Sequence, residues 1–233
     1  EYTAACLSGV ITLKDALALV SVRGKLFEKL PAEGGMLSVP ISEKEVHGFM
    51  DNGLCVAVVN KPDNCVVSGS LKSVDRLQLK LQEAGIEAKK IHISVAAHSP
   101  QVDPIMKSFQ HFLENIKFKK PQIPYVSNVT GTWVTDEQAT STDYWLKHLR
   151  QTVRFSEGLE TLFEKPNRIF LEVGPGQTLS TFARQHPAKN AKQLILASVK
   201  HPKEAQNDLT LIQKTVAKLW VEGKEINWEK FYE

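Results

Sequence analysis

Residues 54 to 70 read LCVAVVNKPDNCVVSGS: two apolar runs, Leu54 to Val59 and Cys65 to Ser68, with Asn60-Lys61-Pro62-Asp63-Asn64 between them. β-branched residues dominate the runs, and the five intervening residues carry the Asn, Pro and Asp of turn chemistry, so the stretch predicts a β-hairpin. On its N-terminal side Met36 to Val39 predicts a short strand. Ser42 to Met50 predicts a helix, with Ser42 as N-cap and Glu45 completing a capping box. On its C-terminal side Ser73 to Ala84 predicts a helix ended by Gly85, and Glu87 to Ser94 a last strand. The order over residues 35 to 95 is β-α-β-β-α-β, the split, ferredoxin-like arrangement.

The flanks differ in pattern. Small residues Ala4, Ala5, Cys6 and Gly9 sit in what reads as an opening helix. A second helix is expected from about Leu13 to Leu30, with Thr12 as N-cap, Asp15 as its partner and Gly34-Gly35 as the stop. Its apolar stripe is Leu13, Ala16, Leu17, Val20, Leu26 and Phe27. An uncapped helix at the first residue marks an expected fragment boundary. Beyond residue 98 come an expected helix from Pro104 to Ile116, a strand and turn in PQIPYVSNVTGTWV (121–134), and helices over Thr142 to Leu149 and Ser156 to Phe163. Strands follow at Arg168 to Val173 and Gln193 to Ser198, with a helix in QTLSTFARQ (177–185) between them and another near Asp208 to Trp220. Strands alternating with helices indicate an α/β layer with a mostly parallel sheet. The expected organisation is residues 1–34 and 96–199 as parts of that layer, 35–95 inserted, and 200–233 as a C-terminal linker.

Composition narrows the class. With 233 residues, 42% of them hydrophobic and 24% charged, the chain can bury a real core. A net charge of +3, dense only at Lys89-Lys90 and Lys117 to Lys120, argues for no nucleic-acid footprint. No apolar run approaches the ~18 residues of a membrane span, so no membrane partner is expected. Three cysteines, Cys6, Cys55 and Cys65, form no C-x-x-C pair and leave an odd one over, which points to reduced thiols and a cytoplasmic setting. No metal site is expected.

Two polar residues stand where chemistry could be done. His98, in IHISVAAHSPQVDPIM (91–106), lies where a strand-like run gives way to a helix; it could cap that helix, face solvent, or reach into a cleft as a base. Arg23 lies on a mostly apolar helix and could simply extend its head to water.

Together these segments carry a resemblance. EYTAACLSGV at residues 1–10, Val22-Arg23-Gly24, the NKPDNCVVSG hairpin, Ala97-His98-Ser99-Pro100, YWLKHLRQTVRF at 144–155, EVGPG at 172–176 and LWVEGKEINWEKF at 219–231 stand in the order found in acyltransferase domains of modular polyketide synthases. Those domains are relatives of the malonyl-CoA:acyl-carrier-protein transacylases, and the resemblance runs over essentially the whole length. It implies an α/β-hydrolase-like subdomain with the ferredoxin-like subdomain inserted and a C-terminal linker. It also implies ping-pong transfer: a serine takes the acyl group from an acyl-CoA and passes it to the phosphopantetheine thiol of an acyl carrier protein, with neighbouring ketosynthase and other synthase domains as further partners. No cofactor bound by the domain itself is implied.

By the same resemblance, His98 is the base that activates the serine, and the backbone carbonyl of His148, in the segment Lys147-His148-Leu149, orients it. Arg23 holds the free carboxylate of an α-carboxyacyl thioester, a task suited to the guanidinium fork. Val95 and Ala97 fall in the four residues that track extender choice; Val95-Ala96-Ala97-His98 matches neither HAFH, found with malonyl, nor YASH, found with methylmalonyl. Small Ala97 favours methylmalonyl or another α-substituted unit over malonyl. The sequence contains no G-x-S-x-G, the nucleophile motif expected just before Glu1, so the chain alone is expected to be inactive. The alternative reading is a non-catalytic docking fragment of such a synthase.

Overall fold

Helices α1 (Tyr2–Leu7) and α2 (Leu13–Phe27) open the chain in the computed structural model, which describes every residue except His92, Ser94, Gln206 and Glu233. Thr12 caps α2 as expected, its hydroxyl accepting the Asp15 N–H at 3.1 Å. The buried face of α2 matches the expected stripe only in part: Ala16 and Leu26 are buried as expected, joined by Leu19, whereas Leu13, Leu17 and Val20 are exposed. Two apolar stripes run along this helix, and only the one in the cluster with Ile105 and Phe109 is covered.

Strand β1 (Gly34–Val39) begins on the two glycines that the sequence offers as a mere helix stop. The reason is close approach, since a Cβ on Gly34 would lie 2.2 Å from the Ala96 nitrogen. Helix α3 (Glu43–His47) carries the complete Ser42–Glu45 capping box. The hairpin follows as β2 (Cys55–Lys61) and β3 (Asn64–Ser70), paired from Cys55↔Ser68 to Lys61↔Asn64. Helix α4 (Leu71–Glu83) starts two residues before its expected start because the Ser70 hydroxyl accepts the Ser73 N–H. Strand β4 (Lys89–Ile91) pairs with β1; the remainder of the expected strand contains His92 and Ser94, outside the described residues.

These strands form an antiparallel sheet in the order β4-β1-β3-β2, the ferredoxin-like order. Leu37, Val39, Val67, Val74, Leu77 and Leu81 are its core. A fifth strand, β5 (Val153–Arg154), lies parallel to β2 and comes from about ninety residues further on, which periodicity does not foresee.

Helices α5 (Asp103–Leu113), α6 (Asp136–Thr140) and α7 (Thr142–Arg150) belong with α1 and α2 to a second core, centred on fully buried Trp145 and Phe109. The strand expected within 121–134 reduces to one bridge, Val126↔Trp133. Ser127 turns the chain there by accepting the N–H groups of Val129 and Thr130, and Gly131, at φ 70°, faces Glu157 too closely for a Cβ.

The chain divides into two compact units, Glu1–Thr161 and Leu162–Glu233, a division that turn chemistry does not mark; α8 (Phe155–Phe163) runs across it. In the second unit β6 (Ile169–Pro175) and β7 (Leu194–Val199) pair in parallel, with α9 (Thr178–Gln185) between them in sequence. The Glu172 carboxylate accepts the Leu179 and Ser180 N–H groups at the positive end of α9. Helix α10 (Asp208–Val221) is tied to β7 by the Thr215 hydroxyl, which donates to the Ala197 carbonyl, and α11 (Trp228–Tyr232) follows. No helix among the described residues is long and apolar enough to cross a membrane.

Candidate active site

Residues 95 to 103 make a tight connection into α5. Ala97 donates its N–H to the Val95 carbonyl at 3.1 Å, a 3-10 turn spans Pro100–Val102, and His98 between them has φ 54°. Among the described residues it is the only non-glycine with positive φ, in the left-handed region that a Cβ disfavours.

His98 Nδ1 lies 2.9 Å from the Gln151 carbonyl oxygen. A carbonyl can only accept, so Nδ1 carries the proton and Nε2 keeps its lone pair. The orienting carbonyl is therefore Gln151's, three residues beyond the expected His148. Helix α7 ends at Arg150, and the Gln151 N–H still donates to Lys147. Its ψ of 166° then turns its own carbonyl out of the helical ladder, which makes it available to His98.

Burial pushes the His98 pKa down to about 4, with the Arg23 charge adding to the effect and the Gln151 bond opposing it. The imidazole is neutral at neutral pH. It lines an open cavity of about 600 Å³ together with Cys55, Val56, Val129, Arg150, Gln151 and Thr152.

The His148 side chain, which the sequence leaves without a role, is buried. Its ring meets Tyr2 and Trp145 edge-on, and Nε2 is 3.5 Å from the Glu1 carboxylate. Burial, with the charge of Arg23 adding to it, holds its pKa well below the usual imidazole value. Glu1 is itself buried and accepts the Tyr144 hydroxyl at 2.5 Å and the Asn128 N–H at 2.6 Å. That fixes the first turn of α7 to the start of the chain.

Arg23 is half-buried on α2, with its guanidinium 4.7 Å from the centre of the Phe27 ring, a cation–π contact. Among the described residues it has no carboxylate partner, and its charge is felt at His98, His148 and Tyr2. The structure thus brings Arg23, His98 and His148 into one neighbourhood. Val95 and Ala97 stand elsewhere. Val95 lines a separate cavity of about 260 Å³ with Leu30, Pro31 and Gln101, and Ala97 packs against the small cluster of Met36, Ala57 and Val66.

Sequence reasoning missed Gln151 and the groups that hold it. Thr152 Oγ1 donates to the Val56 carbonyl at 2.7 Å, and Arg150 Nε donates to Asp103 Oδ1 at 2.7 Å, so the residues on both sides of Gln151 are anchored. The available signal was the polar run Arg150-Gln151-Thr152 between a helix pattern and an apolar segment, a place where a helix C-terminus is due.

The sequence profile of the acyl transferase domain family matches residues 1–223. The phenolphthiocerol synthesis polyketide synthase type I Pks15/1 of Mycobacterium marinum is 32% identical over 229 residues, 98% of this chain and 11% of that protein. The spectinabilin polyketide synthase system protein NorB of Streptomyces orinoci is 33% identical over 237 residues, 100% of this chain and 11% of that protein. Among solved structures, the acyl transferase domain of SpnD in complex with 2-(pent-4-yn-1-yl)malonyl superposes with a TM-score of 0.90 at 36% identity, over 95% of this chain and 54% of that one. The acyltransferase domain from the second module of the salinomycin polyketide synthase gives a TM-score of 0.90 at 33% identity, over 99% and 54%. The chain spans a small part of the curated relatives and about half of the solved domains. Its fold is the mixed α/β fold of those domains, a hydrolase-like layer with a small inserted sheet.

Proposed function

Because the chain belongs to the acyl transferase domain family, we propose that it is part of a polyketide synthase acyltransferase domain in which His98 is the base. No G-x-S-x-G among these 233 residues supplies the serine to be acylated. His98 Nε2 takes the serine proton as the oxygen attacks the thioester carbonyl of an acyl-CoA; the tetrahedral intermediate then expels the CoA sulfur, which receives that proton. In the return half-reaction His98 takes the proton of a carrier protein's phosphopantetheine thiol, the sulfur attacks the acyl-serine ester, and serine leaves reprotonated. The observation that carries this reading is the Nδ1–H donated to Gln151, which leaves Nε2 unprotonated on an imidazole that burial keeps neutral. Gln151 orients the ring through its main chain, where a catalytic triad uses a carboxylate.

Arg23 is the clamp for a substrate carboxylate. What supports this is a guanidinium without a carboxylate partner among the described residues, whose charge reaches His98. The extender is an α-carboxyacyl unit, and α-substituted units such as methylmalonyl are favoured over malonyl. That preference rests on the small side chain of Ala97 beside His98; since Ala97 packs toward Met36 and Ala57, it acts by keeping the turn thin rather than by touching the cavity. The partners are an acyl carrier protein and neighbouring synthase domains in the cytoplasm.

The test is His98→Asn in the polypeptide that joins this chain to its serine. Asn tolerates the left-handed backbone, so the substitution removes the base and spares the turn. Acyl-enzyme formation, read by intact mass after rapid quenching, should fall about 10²–10⁴-fold. Near-normal acylation would sink the assignment.

A further inference from the structure

We propose that Ser99 is a positioning residue: its buried hydroxyl ties the chain together across His98 and holds that residue in the backbone conformation from which Nδ1 reaches Gln151. A non-glycine residue persists in the left-handed region only where its surroundings over-determine it. Around His98 the surroundings are chiefly Ser99, which is 1% exposed. The Ser99 hydroxyl donates to the Ala96 carbonyl at 2.7 Å and accepts the Gln101 N–H at 3.2 Å. One oxygen thus joins the backbone two residues before His98 to the backbone three residues after it.

The two ends of this staple are themselves fixed. Gly34 presses against the Ala96 nitrogen so closely that no Cβ fits between them. On the other side the Ser99 carbonyl accepts the Val102 N–H at 3.2 Å, at the entry to α5. The acceptor for His98 is held separately, through Thr152 on Val56 and Arg150 on Asp103. Loss of the Ser99 hydroxyl therefore releases the imidazole and leaves the Gln151 carbonyl where it is. A hydroxyl is needed because it gives and accepts at once; alanine would leave the Ala96 carbonyl and the Gln101 N–H both unpaired by it.

This inference rests on His98 being the base, but the hydrogen bond it concerns belongs to the chain whatever the reaction. The first measurement is therefore NMR on the 233-residue chain carrying ¹⁵N-labelled histidine, with the His98 Nδ1–H resonance assigned by its loss in His98→Asn. Ser99→Ala should abolish that resonance or speed its exchange with water about tenfold, with the melting transition still cooperative. In the serine-bearing polypeptide the same variant should lower kcat by up to about 10²-fold, the scale of a misplaced catalytic group, with KM little changed. Ser99→Cys, close in shape and weaker in hydrogen bonding, should fall between the two, and it carries the test if Ser99→Ala does not fold. An unchanged Nδ1–H resonance and exchange rate in the folded variant overturns the proposal. Loss of the resonance with activity intact upholds the staple and overturns the base assignment instead.

Discussion

Arg23 and His98 show how one residue's state depends on its neighbours. A lone arginine on a helix ordinarily finds a carboxylate or water; Arg23 has the Phe27 ring beneath it and no acidic partner among the described residues. A substrate carboxylate would complete it with two parallel hydrogen bonds. Arg23→Ala should therefore weaken transfer of malonyl-type thioesters by roughly 1.5–3 kcal/mol and spare or improve acetyl transfer, measured as kcat/KM for the two CoA thioesters side by side. Equal losses for both would make Arg23 structural. The carboxylate that Arg23 lacks cannot be read from its own helix, because the absence of a partner is a property of everything packed around it.

At the scale of elements, two junctions set the site: the turn from Val95 to Ser99 and the end of α7. Helix α7 is fixed at its start by Tyr144 on Glu1, in its middle by buried Trp145, and at its end by Arg150 on Asp103. The turn is pressed on β1 at Gly34 and packs Ala97 against Met36, Ala57 and Val66. In the serine-bearing polypeptide, Ala97→Phe should lower kcat/KM for methylmalonyl-CoA relative to malonyl-CoA by a factor of about 10 to 200, the range for one misplaced methyl. Competition between the two thioesters, with the acylated carrier protein read by mass spectrometry, checks it. An unchanged product ratio in a folded, active variant would show that the size of residue 97 does not set the choice. The capping box at Ser42 and the hairpin at residues 60–64 were legible because each is decided within a few residues. The end of α7 was not, since the ψ of a single residue chooses which carbonyl leaves the helix, and helix ends shift by a residue or two with context.

For the whole molecule, two imidazoles withdrawn from water, that of half-buried His98 and that of buried His148, make stability depend on pH. His98 is held at about 4 and His148 also below the ordinary value of 6.5. As pH falls from 6.5 toward 4, the unfolded chain binds protons that the folded chain refuses, so stability is fully present above 6.5 and declines through this window. Urea midpoints at pH 7 and pH 5 should show the loss, and His98→Asn should reduce the difference between them; a midpoint independent of pH in the native chain would contradict it. The sequence by itself determined the βαββαβ order, the caps at Thr12 and Ser42, the alternation of strands and helices beyond residue 160, and the family through its ordered motifs. These follow from hydrophobic period, turn chemistry and short-range hydrogen bonds, all set by residues close together in the chain. Only the tertiary structure decided that β5 extends the inserted sheet, that Gly34 is needed for contact with Ala96, that α2 buries Leu19 rather than Leu17, and that Gln151, not His148, faces His98. Each of these is settled by a meeting between segments tens of residues apart, where packing selects among alternatives that local pattern leaves equal.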